Sequence, residues 1–218
     1  MSEPGRRIQW LAWGGLTLVI AAILVASLVT KFKQGDLPAK PLPVYGQVAD
    51  FALTNQNGGA VSLADLRGHP WVADIIFTRC PGPCIKMTRQ MKQLQEALPS
   101  GSQTRLVSLT TDPAYDTPPV LKAWADKFVS DSNRWLFLTG TKTQIANLAI
   151  KSLKLTAIEQ KPEEREAPED LFIHATIFVI VDKQAQLRGV FETTGEDINP
   201  QKVKGQILAA VRQLEEER

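Results

Sequence analysis

The only two cysteines of this 218-residue chain lie four positions apart in Phe77-Thr78-Arg79-Cys80-Pro81-Gly82-Pro83-Cys84, and that octapeptide constrains the fold more than any other stretch. An apolar run from Trp71 to Phe77 leads into it and reads as a buried strand. Behind it Met87, Met91, Leu94 and Leu98 recur at helical spacing. The thiols are therefore expected at a strand-to-helix junction. With the helix beginning inside the motif, Cys84 falls in its first turn, where unpaired backbone N–H groups and the positive end of the helix dipole favour thiolate over thiol. Such a pair suits reactive-thiol or metal chemistry. Two cysteines are too few for a disulfide framework, and the C-x-x-x-C spacing alone also describes a pair of inert buried thiols.

Residues 1–7 form a polar tail carrying Arg6 and Arg7, and Ile8 to Val29 then runs without a charge. As a helix that run reaches about 33 Å, enough for a hydrocarbon core of about 30 Å, so residues 8–30 are expected to be a transmembrane anchor. Trp10 and Trp13 fit an interfacial aromatic belt. A cleaved signal peptide is the alternative, but the apolar core is longer than such peptides carry. Lys31 and Lys33 balance Arg6 and Arg7, so the positive-inside rule does not orient the helix. Residues 31–45, with Pro38, Pro41 and Pro43, read as an extended, solvated linker, and 46–218 as one domain. A net charge of +2 with no basic block excludes nucleic acid as a partner.

Within that domain Phe51 to Thr54 and Ala60 to Ser62 read as a hairpin around a glycine-rich loop, followed by a helical turn over Leu63 to Leu66 that Gly68 stops. Arg105 to Thr110 is a second central strand. Thr117 and Pro118 start a helix with a stripe of Leu121, Trp124, Ala125 and Phe128. Trp135 to Leu138 reads as a third strand and Ile145, Leu148 and Ala149 as another helix, while the charged stretch Lys161 to Asp170 reads as a solvated excursion. Leu171 to Val181 reads as one strand paired with Leu187 to Phe191, and Asn199 and Pro200 open a last helix whose stripe is Val203, Ile207, Val211 and Leu214. This order predicts an α/β fold, a mixed sheet with helices on both faces, in a thioredoxin-like arrangement behind the N-terminal transmembrane helix.

Candidate ligands are few. His69, between Gly68 and Pro70, sits in a surface turn without a role, and Met87 and Met91 belong to the core stripe. His174 interrupts an apolar strand, where its ring must find a partner, either a hydrogen bond or a metal. Two thiolates and one imidazole make a soft three-coordinate set that suits Cu(I) and accepts Cu(II) with an added oxygen, whereas structural zinc prefers four protein ligands. Thiol–disulfide exchange competes for the same sulfurs.

The motif Phe77 to Cys84 resembles the T-x-C-P-x-x-C signature of the Sco/SenC family, membrane-anchored copper chaperones of cytochrome c oxidase assembly. Asp112-Pro113 through Asp116-Thr117-Pro118-Pro119-Val120-Leu121 resembles the family's D-P-x-x-D-T-P-x-x-L segment, and Leu136 to Gly140 resembles its L-T-G turn. His174 falls where the family places its ligand histidine. The resemblance spans Gly46 to Leu214. It implies a thioredoxin-like domain in which Cys80, Cys84 and His174 bind copper. It further implies cytochrome c oxidase subunit II as client, a copper donor protein upstream, and a metallochaperone rather than a turnover enzyme. The implied location is the bacterial inner membrane with the domain in the periplasm, or alternatively the mitochondrial inner membrane facing the intermembrane space. The rival reading is a thiol–disulfide oxidoreductase acting on the cysteines of a copper-site client. Three positions depart from the pattern: Ile85 where proline often follows the second cysteine, Ile173 where an aspartate commonly precedes the histidine, and Ala175 where a hydroxyl residue commonly follows it. Asp112 and Asp116 could supply the missing charge, though a solvated turn and a helix start are their expected roles.

Overall fold

The computed structural model describes residues 4–35, 40–80, 82–128, 133–155, 157–159, 172–174 and 176–217. Of these, the side chains of 4–9, 11–12, 28–35, 157–159 and 172–174 fall outside the description. Two units result, residues 1–41 and Leu42–Arg218. In the first, α1 (Pro4–Gly35) continues as helix through Lys31 and Lys33, into the stretch expected to be extended linker. The prolines begin only at Pro38, so nothing before them breaks the hydrogen-bond ladder. Trp10, Trp13, Leu16, Leu18, Ile20, Ile23 and Leu24 are all exposed, and Thr17 returns its hydroxyl to the Gly14 carbonyl at 2.9 Å. Among the described residues no helix is long and apolar enough to cross a membrane, the described side chains of α1 being Trp10 and 13–27.

The second unit runs β1 (Gly46–Gln47), β2 (Ala52–Asn55), β3 (Ala60–Ser62), α2 (Leu63–Leu66), β4 (Trp71–Ile76), α3 (Pro83–Ala97), β5 (Arg105–Thr110) and α4 (Pro118–Phe128). It continues through β6 (Trp135–Thr139), α5 (Lys142–Ala146) with a π-helical turn (Asn147–Ser152), β7 (Ala157–Glu159), β8 (Phe172–His174), β9 (Ile177–Val181), β10 (Gln186–Glu192) and α6 (Pro200–Glu216). Eight strands form one mixed sheet in the order β1-β10-β9-β4-β5-β6-β2-β3. The β4–β5 and β5–β6 pairs are parallel, and the flanking pairs are antiparallel.

Alternation along the central strands builds two cores. Val72 and Ile76 of β4, Leu106 of β5, Trp135 and Phe137 of β6, and Phe178 and Ile180 of β9 face α3, α4 and α6. The alternate residues Trp71, Ala73, Ile75, Val107, Leu109, Leu138, Val179 and Val181 face α2, α5 and the π-turn. A strand covered on both faces must be apolar at nearly every position, which is why β9 reads as an unbroken hydrophobic run and β4 as one broken only by Asp74. Gln56 extends this order past β2: its side chain is buried, accepts the Phe137 N–H at 2.9 Å and donates to the Trp135 carbonyl at 3.1 Å, as a neighbouring strand would. The β2–β3 turn needs Gly58, whose φ of +81° is left-handed, and Gly68 stops α2 with φ +82°.

The expected single strand over Leu171 to Val181 is instead two. β8 ends at His174 and pairs antiparallel with β7, with Ala157 opposite His174, in a separate two-stranded ribbon; β9 alone joins β10. Immediately before β9 the Thr176 carbonyl accepts both the N–H and the hydroxyl of Thr193 at 2.8 Å, which fixes where the main-sheet hairpin begins. The charged stretch Lys161 to Asp170 lies outside the described residues.

Behind β10, Arg188 gathers the two ends of this unit. Its buried guanidinium meets Asp182 at 2.7 Å and Glu217 at 2.8 Å, and donates to the Leu42 carbonyl at 2.9 Å.

Candidate metal centre

β4 delivers the chain to the cysteines at its C-terminal end. Residues 77–80 are neither strand nor helix, and the turn closes with Cys80 N–H donating to the Phe77 carbonyl at 3.2 Å. α3 then starts with Gly82 as its cap and Pro83 at the first position, where a missing N–H costs nothing, so Cys84 is in the first turn. The two sulfurs are stitched to backbone donors: Cys84 N–H points at Cys80 Sγ and Phe77 N–H at Cys84 Sγ, each at 3.4 Å. Cys80 is 6% exposed and Cys84 fully buried, and no disulfide joins them. Thr88 Oγ donates to the Cys84 carbonyl at 2.7 Å, and Met87 and Met91 lie fully buried in the same core, as packing rather than ligands.

The expected thiolate at Cys84 is overturned. Burial pushes its pKa well up, the hydrogen bond and charge coupling with Cys80 push the same way, and Asp74 adds to it; only the Phe77 N–H pulls down. A helix N-terminus is worth about 0.3–1 kcal/mol, less than one pKa unit, whereas full burial moves a group by up to about 3–5 units. Burial wins. Asp74 itself sits fully buried in β4, two residues from Val72 and Ile76 and so on the face that holds the thiols. A carboxyl inside an otherwise apolar strand was a signal available in the sequence.

Asp112 and Asp116 are likewise not solvated. Asp116 is fully buried and Asp112 6% exposed. Asp116 Oδ2 accepts Thr78 N–H at 3.1 Å and Thr110 Oγ–H at 2.5 Å, while its Oδ1 accepts the Thr78 hydroxyl. Burial raises its pKa, with the Thr110 and Thr78 hydrogen bonds working against that rise. Asp112 pairs with Arg79, whose guanidinium also lies 4.2 Å above the Tyr115 ring.

Of the three expected ligands, the structure brings Cys80 and Cys84 together. His174 is located by its backbone at the end of β8, with its side chain outside the description, and among the described residues no three His, Cys, Asp or Glu side chains converge as a metal set. His69 is half-buried in the turn before β4, at the opposite end of that strand from the thiols. The sulfur pair fits a soft metal: two donors lie side by side, shielded from water, with N–H groups already aimed at them.

Residues 43–211 match the SCO1/SenC family. The chain belongs to that family. It is 37% identical over 162 residues to the SCO1 protein homolog of Bacillus subtilis, which covers 72% of this chain and 81% of that protein. Among solved structures it resembles BsSco, described as a member of the Sco family of cytochrome c oxidase assembly proteins that carries a disulfide switch, with 28% identity and a TM-score of 0.67 over 82% of this chain and all of that one. Copper-bound yeast Sco1 matches with a TM-score of 0.63 over 77% of this chain and 89% of that one; at 23% identity, that likeness is one of fold. The SCO1/SenC domain here is thus a mixed α/β, thioredoxin-like fold with its cysteines at the β4–α3 junction.

Proposed function

We propose that this SCO1/SenC protein is a membrane-tethered copper chaperone that holds copper on Cys80, Cys84 and His174 and delivers it to, or prepares, the dinuclear copper site in subunit II of cytochrome c oxidase. The observation that carries this reading is the shielded sulfur pair, with Cys84 N–H set 3.4 Å from Cys80 Sγ. Copper is cargo here, and it suits two thiolates plus an imidazole. Metal entry displaces the Cys84 proton, and the N–H groups of Phe77 and Cys84 then face sulfurs that carry charge. His174 lies at the end of β8 in the β7–β8 ribbon, outside the main sheet. Copper-bound yeast Sco1, which shares the fold, supports the cargo. The charge-free run Ile8 to Val29 and the exposed apolar side chains of α1 support the anchor, and we assign the domain to the periplasmic side of a bacterial inner membrane.

Copper titration of the reduced full-length chain in detergent, by competition with a Cu(I) chelator, tests the ligand set. One copper per chain is expected, lost in Cys80→Ser and Cys84→Ser and held far more weakly in His174→Ala, with circular dichroism confirming that each variant folds. Unchanged affinity in a folded His174→Ala would remove the histidine from the site. Protease added to intact spheroplasts should digest the domain, and protection there would reverse the topology.

The second reading, thiol–disulfide exchange, is favoured by the same sulfur contact and by the disulfide switch described for BsSco. A Cys80–Cys84 disulfide removes both thiolate ligands, so oxidised protein should fail to bind Cu(I). An oxidoreductase would reduce a client disulfide at equal rates in wild type and His174→Ala.

A further inference from the structure

The loop after β5 folds back onto the two residues in front of Cys80. Asp116 takes both hydrogen-bond donors of Thr78, its N–H and its hydroxyl, together with the Thr110 hydroxyl, so one buried carboxylate joins the exit of β4 to the end of β5. The loop that carries it is closed on itself. Asp116 N–H and Tyr115 N–H donate to the Asp112 carbonyl at 2.8 and 3.0 Å, Asp112 N–H donates to Thr110 Oγ at 3.0 Å, and Thr111 N–H reaches the Ile76 carbonyl at 2.8 Å. Outside this, Asp112 grips Arg79, which covers Tyr115. Thr78 and Arg79 belong to neither β4 nor α3, so neither element's ladder fixes their backbone. The aspartates do.

We propose that Asp116 is a positioning residue for the thiol pair: through Thr78 it holds the turn that places Cys80 Sγ against the Cys84 N–H and under cover, with Asp112 and Arg79 bracing the outside. The chemistry of the groups supports this. A buried carboxylate is costly and is retained where several donors need one acceptor, and here three donors from two segments converge on it. Releasing the turn would uncover the Cys80 sulfur, which stands 6% exposed, without touching the cysteines themselves. The inference rests on the copper reading for its consequence in metal retention, whereas its consequence for thiol accessibility needs no metal.

The test uses full-length protein, reduced and metal-free, and follows alkylation of Cys80 by iodoacetamide with the modified peptide identified by mass. Thr78→Val removes the hydroxyl bond to Asp116 but leaves the backbone one, and Thr78→Ser restores it. Asp116→Asn keeps the shape: its amide oxygen can take the place of Oδ2, and its NH2 group meets Thr78 Oγ, which turns to accept. Loss of the Thr78 hydroxyl bond in Thr78→Val, and of the carboxylate's charge in Asp116→Asn, should each speed alkylation of Cys80 about fivefold or more, and Thr78→Ser should stay near wild type. Cu(I) transfer from loaded protein to a chelator should accelerate in the same order. If both variants only lower the thermal midpoint, and alkylate at the wild-type rate well below it, the contacts are structural and the proposal falls. Should Asp116→Asn fail to fold, Thr78→Val against Thr78→Ser decides alone. A wild type that binds no copper overturns the chaperone reading, while the alkylation series still decides the positioning role.

Discussion

Copper uptake by the reduced protein should weaken steeply as the solution is acidified. Cys84 is fully buried, its pKa is pushed up first by that burial and then by its coupling to Cys80 and Asp74, and it therefore keeps its proton throughout the neutral range. Thiolate sulfur is the ligand form, so each metal ion that binds must expel at least that proton. The apparent association constant should then rise at least about tenfold per pH unit, equivalent to about 1.4 kcal/mol, and so about a hundredfold between about pH 6 and 8. Competition against a Cu(I) chelator of known pH behaviour measures the slope. Proton release on copper addition in a weakly buffered solution counts the protons independently, and at least one per copper is expected. A flat affinity with no proton release would mean that Cys84 is already ionised and would refute the ranking of burial over dipole.

Three further outcomes follow from named contacts. An unfolded cysteine ionises near about pH 8.5 while buried Cys84 does not, so above that pH the unfolded state binds fewer protons and the stability of the reduced, metal-free protein should fall by up to about 1.4 kcal/mol per pH unit; urea midpoints across that range check it, and Cys84→Ser should flatten the slope. Asp182→Ala leaves the buried Arg188 with Glu217 as its carboxylate partner and strands the N–H groups of Gln184 and Gln186, which should cost about 3 kcal/mol in urea unfolding, and a loss under about 1 kcal/mol would deny the ion pair its role. Asn199→Ala removes the acceptor for Gln201 N–H and Lys202 N–H at the start of α6 and should cost about 1 kcal/mol, with Asn199→Asp near neutral in the same measurement.

The central strands and their helices were legible because their physics is local. β4 and β9 are covered on both faces and so write long apolar runs, and Asn199-Pro200 and Thr117-Pro118 announce the helices that follow. The β7–β8 ribbon was not legible, since a three-residue strand such as Ala157–Glu159 carries too little pattern, and the break before β9 depends on Thr193, seventeen residues away. In the site, the placement of Cys84 in a helical first turn followed from its neighbours. Its protonation did not, because burial is set by residues far along the chain. The same holds for Asp112 and Asp116: their partners Arg79 and Thr78 lie more than thirty positions earlier, and an aspartate in a D-P-x-x-D-T-P segment looks solvated until those partners are seen.

The Arg188 knot gives the domain a polarity. Leu42, where this unit begins, is fastened beside Leu187, which pairs with Val181 and through it with Trp71, the residue that opens β4. The thiols emerge at the other end of that same strand, a six-residue span of about 20 Å. Any leash tied to the chain at Leu42 therefore pulls on the pole opposite the sulfurs. Tension at that pole is taken up by Arg188, Asp182 and Glu217, which leaves the cysteine junction under no load.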